Sequence, residues 1–135
     1  MSPRTVGALL PQATRTVDVR ATLADVVIVL GRHGGDAVAV VHDGSFLGVV
    51  LRRDLAAARP SAATTLEVRE AMDALGRIPV TSIMRRDVAT VIPDTPLAEA
   101  ARLVRDSGNP VAVLDAGRLA GLLGVGELLA ALAPD

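Results

Sequence analysis

The chain is written twice, and that constrains its fold more than any other feature. The run Val38-Ala39-Val40-Val41-His42-Asp43-Gly44-Ser45-Phe46-Leu47-Gly48-Val49-Val50 lies in register with Val111-Ala112-Val113-Leu114-Asp115-Ala116-Gly117-Arg118-Leu119-Ala120-Gly121-Leu122-Leu123. Gly44 falls on Gly117, Gly48 on Gly121, Asp54 on Glu127 and Leu55 on Leu128, each 73 positions on. Upstream, Leu23, Val26, Val27 and Leu30 fall on Leu97, Ala100, Ala101 and Val104, 74 positions on, so one residue is inserted within Gly31–Gly35. Self-similarity at a long period means one supersecondary unit used more than once. A chain of 135 residues then fits one compact domain or two very small ones sharing a core.

Each copy reads as β-α-β-β-α. A β-prone segment, Thr16–Val19 or Val88–Ile92, leads into a helix. The second helix is expected to take Thr95 as N-cap and Pro96 in its first turn, with Leu97, Ala100, Ala101 and Val104 at helical spacing and Gly108 as its stop. The first is expected to begin after Thr22, to run from Leu23 to about Leu30, and to end at Gly31 and the Gly34-Gly35 pair. A strand follows, Val38–Val41 or Val111–Leu114, then a tight turn at Asp43-Gly44 or Ala116-Gly117. The returning strand is Phe46–Leu51 or Arg118–Leu123. An Asp-Gly pair between two apolar runs predicts a type I′ hairpin, which requires positive φ at both central residues. A short helix, Arg52–Ala58 or Val125–Ala133, closes each unit.

Between the copies, Thr64-Thr65 followed by Glu67 is a helix-start signal, and Leu66, Met72 and Leu75 mark the apolar side of a linking helix ended by Gly76 and Pro79. Val80–Met84 is expected to make a short helical turn into the second copy. The resulting division is 6–59 for the first repeat, 60–79 for a helical linker and 80–133 for the second repeat.

Composition excludes several classes of function. Cysteine is absent, so there is neither a disulfide framework nor a thiolate metal site, and two histidines without matching carboxylate spacing leave no zinc set. The net charge is −1 and Phe46 is the only aromatic, which argues against a nucleic-acid surface built on basic patches and stacking rings. The apolar runs Val26–Leu30 and Leu128–Ala133 are too short to span a bilayer, and Met1-Ser2-Pro3-Arg4 lacks a signal-peptide core, so a cytoplasmic location is expected. No serine sits in a nucleophile elbow, and acidic residues show no facing pair, so the chain is read as no enzyme. Gly124-Val125-Gly126 lacks the following strand and distant acid of a dinucleotide loop. His33 is expected in a solvated polar loop and His42 at a hairpin end.

The second copy resembles a CBS domain almost throughout. The resemblance rests on Val80-Thr81-Ser82-Ile83-Met84, Val88-Ala89-Thr90-Val91, Pro93-Asp94-Thr95-Pro96-Leu97, Gly108-Asn109-Pro110-Val111-Ala112-Val113 and Gly117-Arg118-Leu119-Ala120-Gly121. The first copy is more divergent but keeps Gly44, Gly48 and Asp54 in register. The resemblance implies a mixed α/β (α+β) Bateman module, two β-α-β-β-α repeats packed sheet to sheet with pseudo-twofold symmetry, which in many members forms a homodimer. It further implies a cleft between repeats that takes an adenosyl ligand (AMP, ADP, ATP or S-adenosylmethionine) and an output through an effector protein.

In ligand-binding members the last strand-to-helix junction carries Gly, then Ser or Thr, then Asp at intervals of three. Gly admits a close approach, the hydroxyl and helix N–H groups meet phosphate, and the carboxylate accepts from ribose hydroxyls. Carried over, these roles fall on Gly48 and Asp54 in the first copy, with Arg52 and Arg53 as cations beside them, and on Gly121 and Glu127 in the second, where Gly124 and Gly126 expose backbone N–H groups at the helix start. Leu51 and Gly124 stand where the hydroxyls belong, and Glu127 sets its carboxylate one methylene farther out. Adenine contacts in the family map onto Val17, Val19, Ala37, Val38, Thr90, Ile92, Pro110 and Val111, which as short-strand residues also suit a plain core. The expected function is a stand-alone regulatory pair sensing an adenosyl ligand. The alternative is a ligand-free dimerisation or scaffold module with degenerate clefts.

Overall fold

The computed structural model describes residues 4–10, 14–58 and 68–132, with side chains through Leu129. Two compact units result, and they do not follow the repeat boundary. One comprises Arg15–Asp43 and Leu47–Arg86; the other is built on the chain from Asp87 onward, with the N-terminal segment and Gly44–Phe46.

The first unit runs β1 (Thr16–Asp18), α1 (Leu23–His33), β2 (Ala37–His42), β3 (Ser45–Leu51), α2 (Arg52–Ala57) and α3 (Val68–Leu75). Strand β2 lies between β1, which is parallel to it, and β3. Helix α1 forms because Leu23, Val26 and Leu30 recur on one face and are buried there. The Asp25 carboxylate accepts the Thr22 N–H at 2.9 Å and holds the helix start. Against this face pack Val17, Val38, Val40, Val50, Leu55, Leu75, Val80 and Met84.

The second unit holds β4 (Thr90–Val91), α4 (Leu97–Ser107), β5 (Val111–Asp115), β6 (Arg118–Leu123) and α5 (Val125–Leu132). Strand β5 is parallel to β4 and antiparallel to β6, with Val113 opposite Gly121 and a bulge after it. Among the described residues its core holds Val6, Val91, Ala100, Val104, Val111, Val113 and Leu123. Each copy is therefore the β-α-β-β-α unit read from the sequence.

Both hairpins turn as expected. Asp43 and Gly44 have φ of 51° and 83°, and Ala116 and Gly117 have 53° and 82°. Alanine in the left-handed region is strained, whereas Asp accepts it at lower cost. Ala116→Asp, which copies the first turn into the second, is expected to stabilise the protein by about 0.5–1 kcal/mol in a denaturant titration. An unchanged or lowered midpoint would show that the turn stores no strain.

Three local expectations need correction. Helix α1 does not stop near Leu30: it runs through Gly31 to His33 and is capped at Gly34, φ 71°. Glycine is tolerated inside a helix, and the required left-handed residue comes three positions later. His33 accordingly ends a helix and does not sit in a loop. Helix α4 is capped by Pro96, and the Thr95 hydroxyl instead accepts the Ile92 N–H at 3.1 Å, one turn earlier. Because Gly34 and Gly108 cap equivalent helices 74 positions apart, the inserted residue falls in the connection after Gly34. The linker's helix-start signal, Thr64, Thr65, Leu66 and Glu67, lies outside the described residues. The helix that follows ends at Leu75, which is buried, with Met72 half-buried beside it.

The units owe their membership to short leaders that open each copy. In the first unit Val80 N–H donates to Ala21 O (3.0 Å) and Leu23 N–H to Ile78 O (2.9 Å). In the second, Val6 N–H donates to Thr95 O (2.9 Å) and Leu97 N–H to Arg4 O (2.8 Å). These pairs are related by the 74-residue offset, so the repeat extends back to Arg4. Each leader docks on the helix start of the other repeat. Val6 and Val80, both with no exposed surface, fill the cores they enter.

Candidate ligand site at the start of the second helix

Strand β3 delivers the chain into α2, and two features of this junction arrange the site. The leader Ile83–Arg86 runs back along β3: Val49 N–H donates to Arg85 O at 3.0 Å and Arg85 N–H to Val49 O at 2.7 Å. At Gly48 a Cβ would stand 2.5 Å from the Arg85 carbonyl oxygen and 3.2 Å from its carbon. Glycine is required here because another backbone occupies the side-chain space.

The pinned backbone aims the Arg85 side chain at Asp54. Its Nε donates to Oδ2 at 2.7 Å and a terminal nitrogen to Oδ1 at 3.1 Å, a bidentate pair 31 positions apart in sequence. Asp54 and Arg85 are 23% and 39% exposed, so the pair is partly screened by water. The Arg85 hydrogen bond, and more weakly the charges of Arg85 and Arg53, hold the Asp54 carboxyl below the usual carboxylate range, against the opposing effect of burial. Asp54 is therefore ionised at neutral pH. Beside it, with Ala57, Ala58 and Ile83, the pair lines a depression of about 370 Å³. Ala57 and Ala58 follow Asp54 at helical spacing, and their small side chains leave the depression open.

A lowered folded-state pKa contributes stability that is present above the unfolded value and lost as pH falls through the folded one. Wild-type protein is thus expected to lose more stability than Asp54→Asn as pH drops below about 4, and high salt should narrow the gap. Thermal unfolding at successive acid pH values measures this; parallel curves for the two proteins would remove Asp54 from the account.

The other expected site residues are placed as follows. Arg52 does not join Asp54; its Nε donates to Gly35 O at 2.8 Å and its N–H to Asp36 O at 2.7 Å, tying α2 to the end of the first helix connection. Arg53 is exposed, close enough for its charge to act on Asp54. Val17 and Val38 are buried members of the first core, with Val19 half-buried against it and Ala37 half-buried at the start of β2. In the second unit Val111 is fully buried in the core, Pro110 is half-buried, and Thr90 and Ile92 are exposed. Glu127 turns inward on its own helix: its Oε2 accepts the Gly124 N–H at 3.1 Å, which makes it a cap for α5.

Arg85, Ile83, Ala57 and Ala58 were not among the expected residues. The alanines could have been found by helical spacing from Asp54. Arg85 carries no local signal, since only the leader's return along β3 brings it there.

These features define a tandem β-α-β-β-α protein with an arginine-paired carboxylate at the entry of a closing helix. The CBS-domain family model matches residues 12–61 and 80–134, and the chain belongs to that family. Among solved structures it is similar to a Vibrio cholerae protein described as acting in acetoin utilization (AcuB), at 21% identity, TM-score 0.79, covering 97% of this chain and 91% of that one. It is also similar to CBSX2, a CBS-pair protein of Arabidopsis thaliana solved in complex with AMP, at 25% identity, TM-score 0.75 and 96% coverage of each chain. A third is the cytosolic domain of the Mg2+ channel MgtE in complex with ATP, at 26% identity and TM-score 0.72. There the match covers 95% of this chain and 48% of that one. None of the curated proteins compared with the chain matches it. Among the described residues, no helix is long and apolar enough to cross a membrane.

Proposed function

We propose that this CBS pair is a regulatory module, not an enzyme, that binds an adenosyl ligand at the depression beside Asp54 and acts through an effector protein. The observation that carries this reading is an ionised carboxylate at the edge of an open depression, with a guanidinium in contact and small apolar side chains around it. A carboxylate accepts from two neighbouring ribose hydroxyls, and Ala57, Ala58 and Ile83 offer contact to a base or sugar. Its volume of about 370 Å³ suits a mononucleotide, being at the small end of the roughly 300–1,000 Å³ usual for such sites. The AMP and ATP complexes of CBSX2 and MgtE support the same ligand class. A cytoplasmic homodimer with repeats at 6–59 and 80–133 about a linker at 60–79 belongs to this proposal.

Thermal shift and calorimetry with AMP, ADP, ATP and S-adenosylmethionine test it. A ligand at 100 times its dissociation constant adds about 2.7 kcal/mol of stability, and Asp54→Ala is expected to abolish the gain. No stabilisation by any of them at millimolar concentration would leave the second reading, a ligand-free scaffold. That reading draws on the loss of both junction hydroxyls, with Leu51 3% exposed in the core, and on Arg52 and Glu127 being engaged within the chain.

A further inference from the structure

Asp54 carries the only side-chain acceptor among the residues that line the depression, and the chain already uses it. Arg85 donates to both of its oxygens, at 2.7 Å and 3.1 Å. A guanidinium fork and a pair of neighbouring hydroxyls each approach a carboxylate with two donors, so they ask for the same face of it. The second repeat treats its acid alike: Glu127 Oε2 accepts the Gly124 N–H at 3.1 Å. In both copies the carboxylate at this register is satisfied from within the chain.

Arg85 is held in place independently of Asp54. Its N–H and its carbonyl are both hydrogen-bonded to Val49, and its carbonyl fills the space over Gly48. A side chain rooted in this way returns to Asp54 each time it leaves, and no dilution removes it. Both partners are nevertheless partly open to water, and ion pairs of that kind are weak enough for a ligand to displace. A tethered competitor of modest strength lowers the apparent affinity by the fraction of molecules in which the site is free.

Resting on the reading that an adenosyl ligand binds beside Asp54, we infer that Arg85 is an autoinhibitory occupant of that site: it holds the carboxylate when no ligand is present, and the ribose must displace it to bind. The exchange sets the module to respond at higher ligand concentrations than the bare depression would. It also couples occupancy to the release of a side chain carried by the leader Ile83–Arg86.

Calorimetry with adenosine, which carries no charge, tests the exchange on wild type, Arg85→Ala, Arg85→Lys and the double variant Asp54→Ala/Arg85→Ala. Circular dichroism melts confirm that each variant is folded. Arg85→Ala is expected to bind adenosine about threefold to tenfold more tightly than wild type. Arg85→Lys, which keeps the charge without the fork, should fall between them, and the double variant should lose the gain. Two further readouts use wild type itself. Raising the salt from about 0.05 M to about 0.5 M should tighten its adenosine binding by screening the ion pair. Added adenosine should move the Arg85 Nε–H signal in nitrogen-15 NMR spectra toward that of a solvated arginine. Equal or weaker adenosine binding by Arg85→Ala, a gain that survives in the double variant, or an unmoved Arg85 signal overturns the inference and leaves the adenosyl reading intact. Binding of AMP to wild type with no binding of adenosine to any of the proteins does the same. Failure of adenosine, AMP, ADP, ATP and S-adenosylmethionine on wild type and Arg85→Ala alike overturns the adenosyl reading itself, and the inference with it.

Discussion

Gly48→Ala is expected to destabilise the protein by about 1–3 kcal/mol, the usual cost of forcing one extra carbon into a filled space. The added Cβ would stand 2.5 Å from the Arg85 carbonyl oxygen, a distance that real side chains do not adopt. The obstacle is backbone, so no rotamer change relieves it. Either β3 or the leader must shift, and the two hydrogen bonds between Val49 and Arg85 lengthen. Because those bonds aim Arg85 at Asp54, the same substitution should weaken their ion pair. The Asp54 carboxyl should then titrate closer to its ordinary range, measurable by the carboxyl carbon shift in NMR. A variant as stable as wild type, with Asp54 titrating unchanged, would mean that the leader's close passage along β3 is wrong.

Leu23→Ala carries the largest expected loss, about 2–5 kcal/mol. Leu23 has no exposed surface and opens α1 in the first core, with its N–H bonded to Ile78 O. Truncation leaves a cavity between the helix and the leader that a backbone bonded on both sides cannot collapse to fill. The equivalent residue of the second repeat, Leu97, is only half-buried, so Leu97→Ala is expected to cost clearly less. Against a total stability of about 5–15 kcal/mol, the first substitution should move the denaturant midpoint by a large fraction of its value. Equal losses at Leu23 and Leu97 would contradict the unequal burial of the two side chains.

The repeat made most of the fold legible. Hydrophobic periodicity placed both long helices and all the longer strands, because period 3.6 and period 2 are properties of local sequence. The hairpin turns were equally legible, since Asp43-Gly44 demands a backbone conformation few other pairs accept. Helix ends were less so: Gly31 looked like a stop but is interior, and Thr95 looked like a cap but bonds backward to Ile92. Either residue satisfies more than one local geometry, and neighbouring chain decides which.

The candidate site divides along the same line. Asp54 and Gly48 could be named from the family resemblance carried onto the repeat register, while Arg85 could not, being 31 positions from its carboxylate. Glu127 matched Asp54 in register yet caps its own helix by accepting the Gly124 N–H, whereas the Asp54 carboxylate is taken by Arg85. Repetition in sequence does not ensure repetition of chemistry.

By itself, the sequence determined that one β-α-β-β-α unit occurs twice, where its hairpins turn, and that its cores are aliphatic. These follow from short-range patterns of side-chain size and backbone preference. Only the tertiary structure decided that each leader serves the other repeat's helix, that Gly48 is kept small by Arg85, and that Arg85 holds Asp54. Those outcomes depend on which distant backbones find unpaired N–H and C=O groups to satisfy, and no local pattern records that choice.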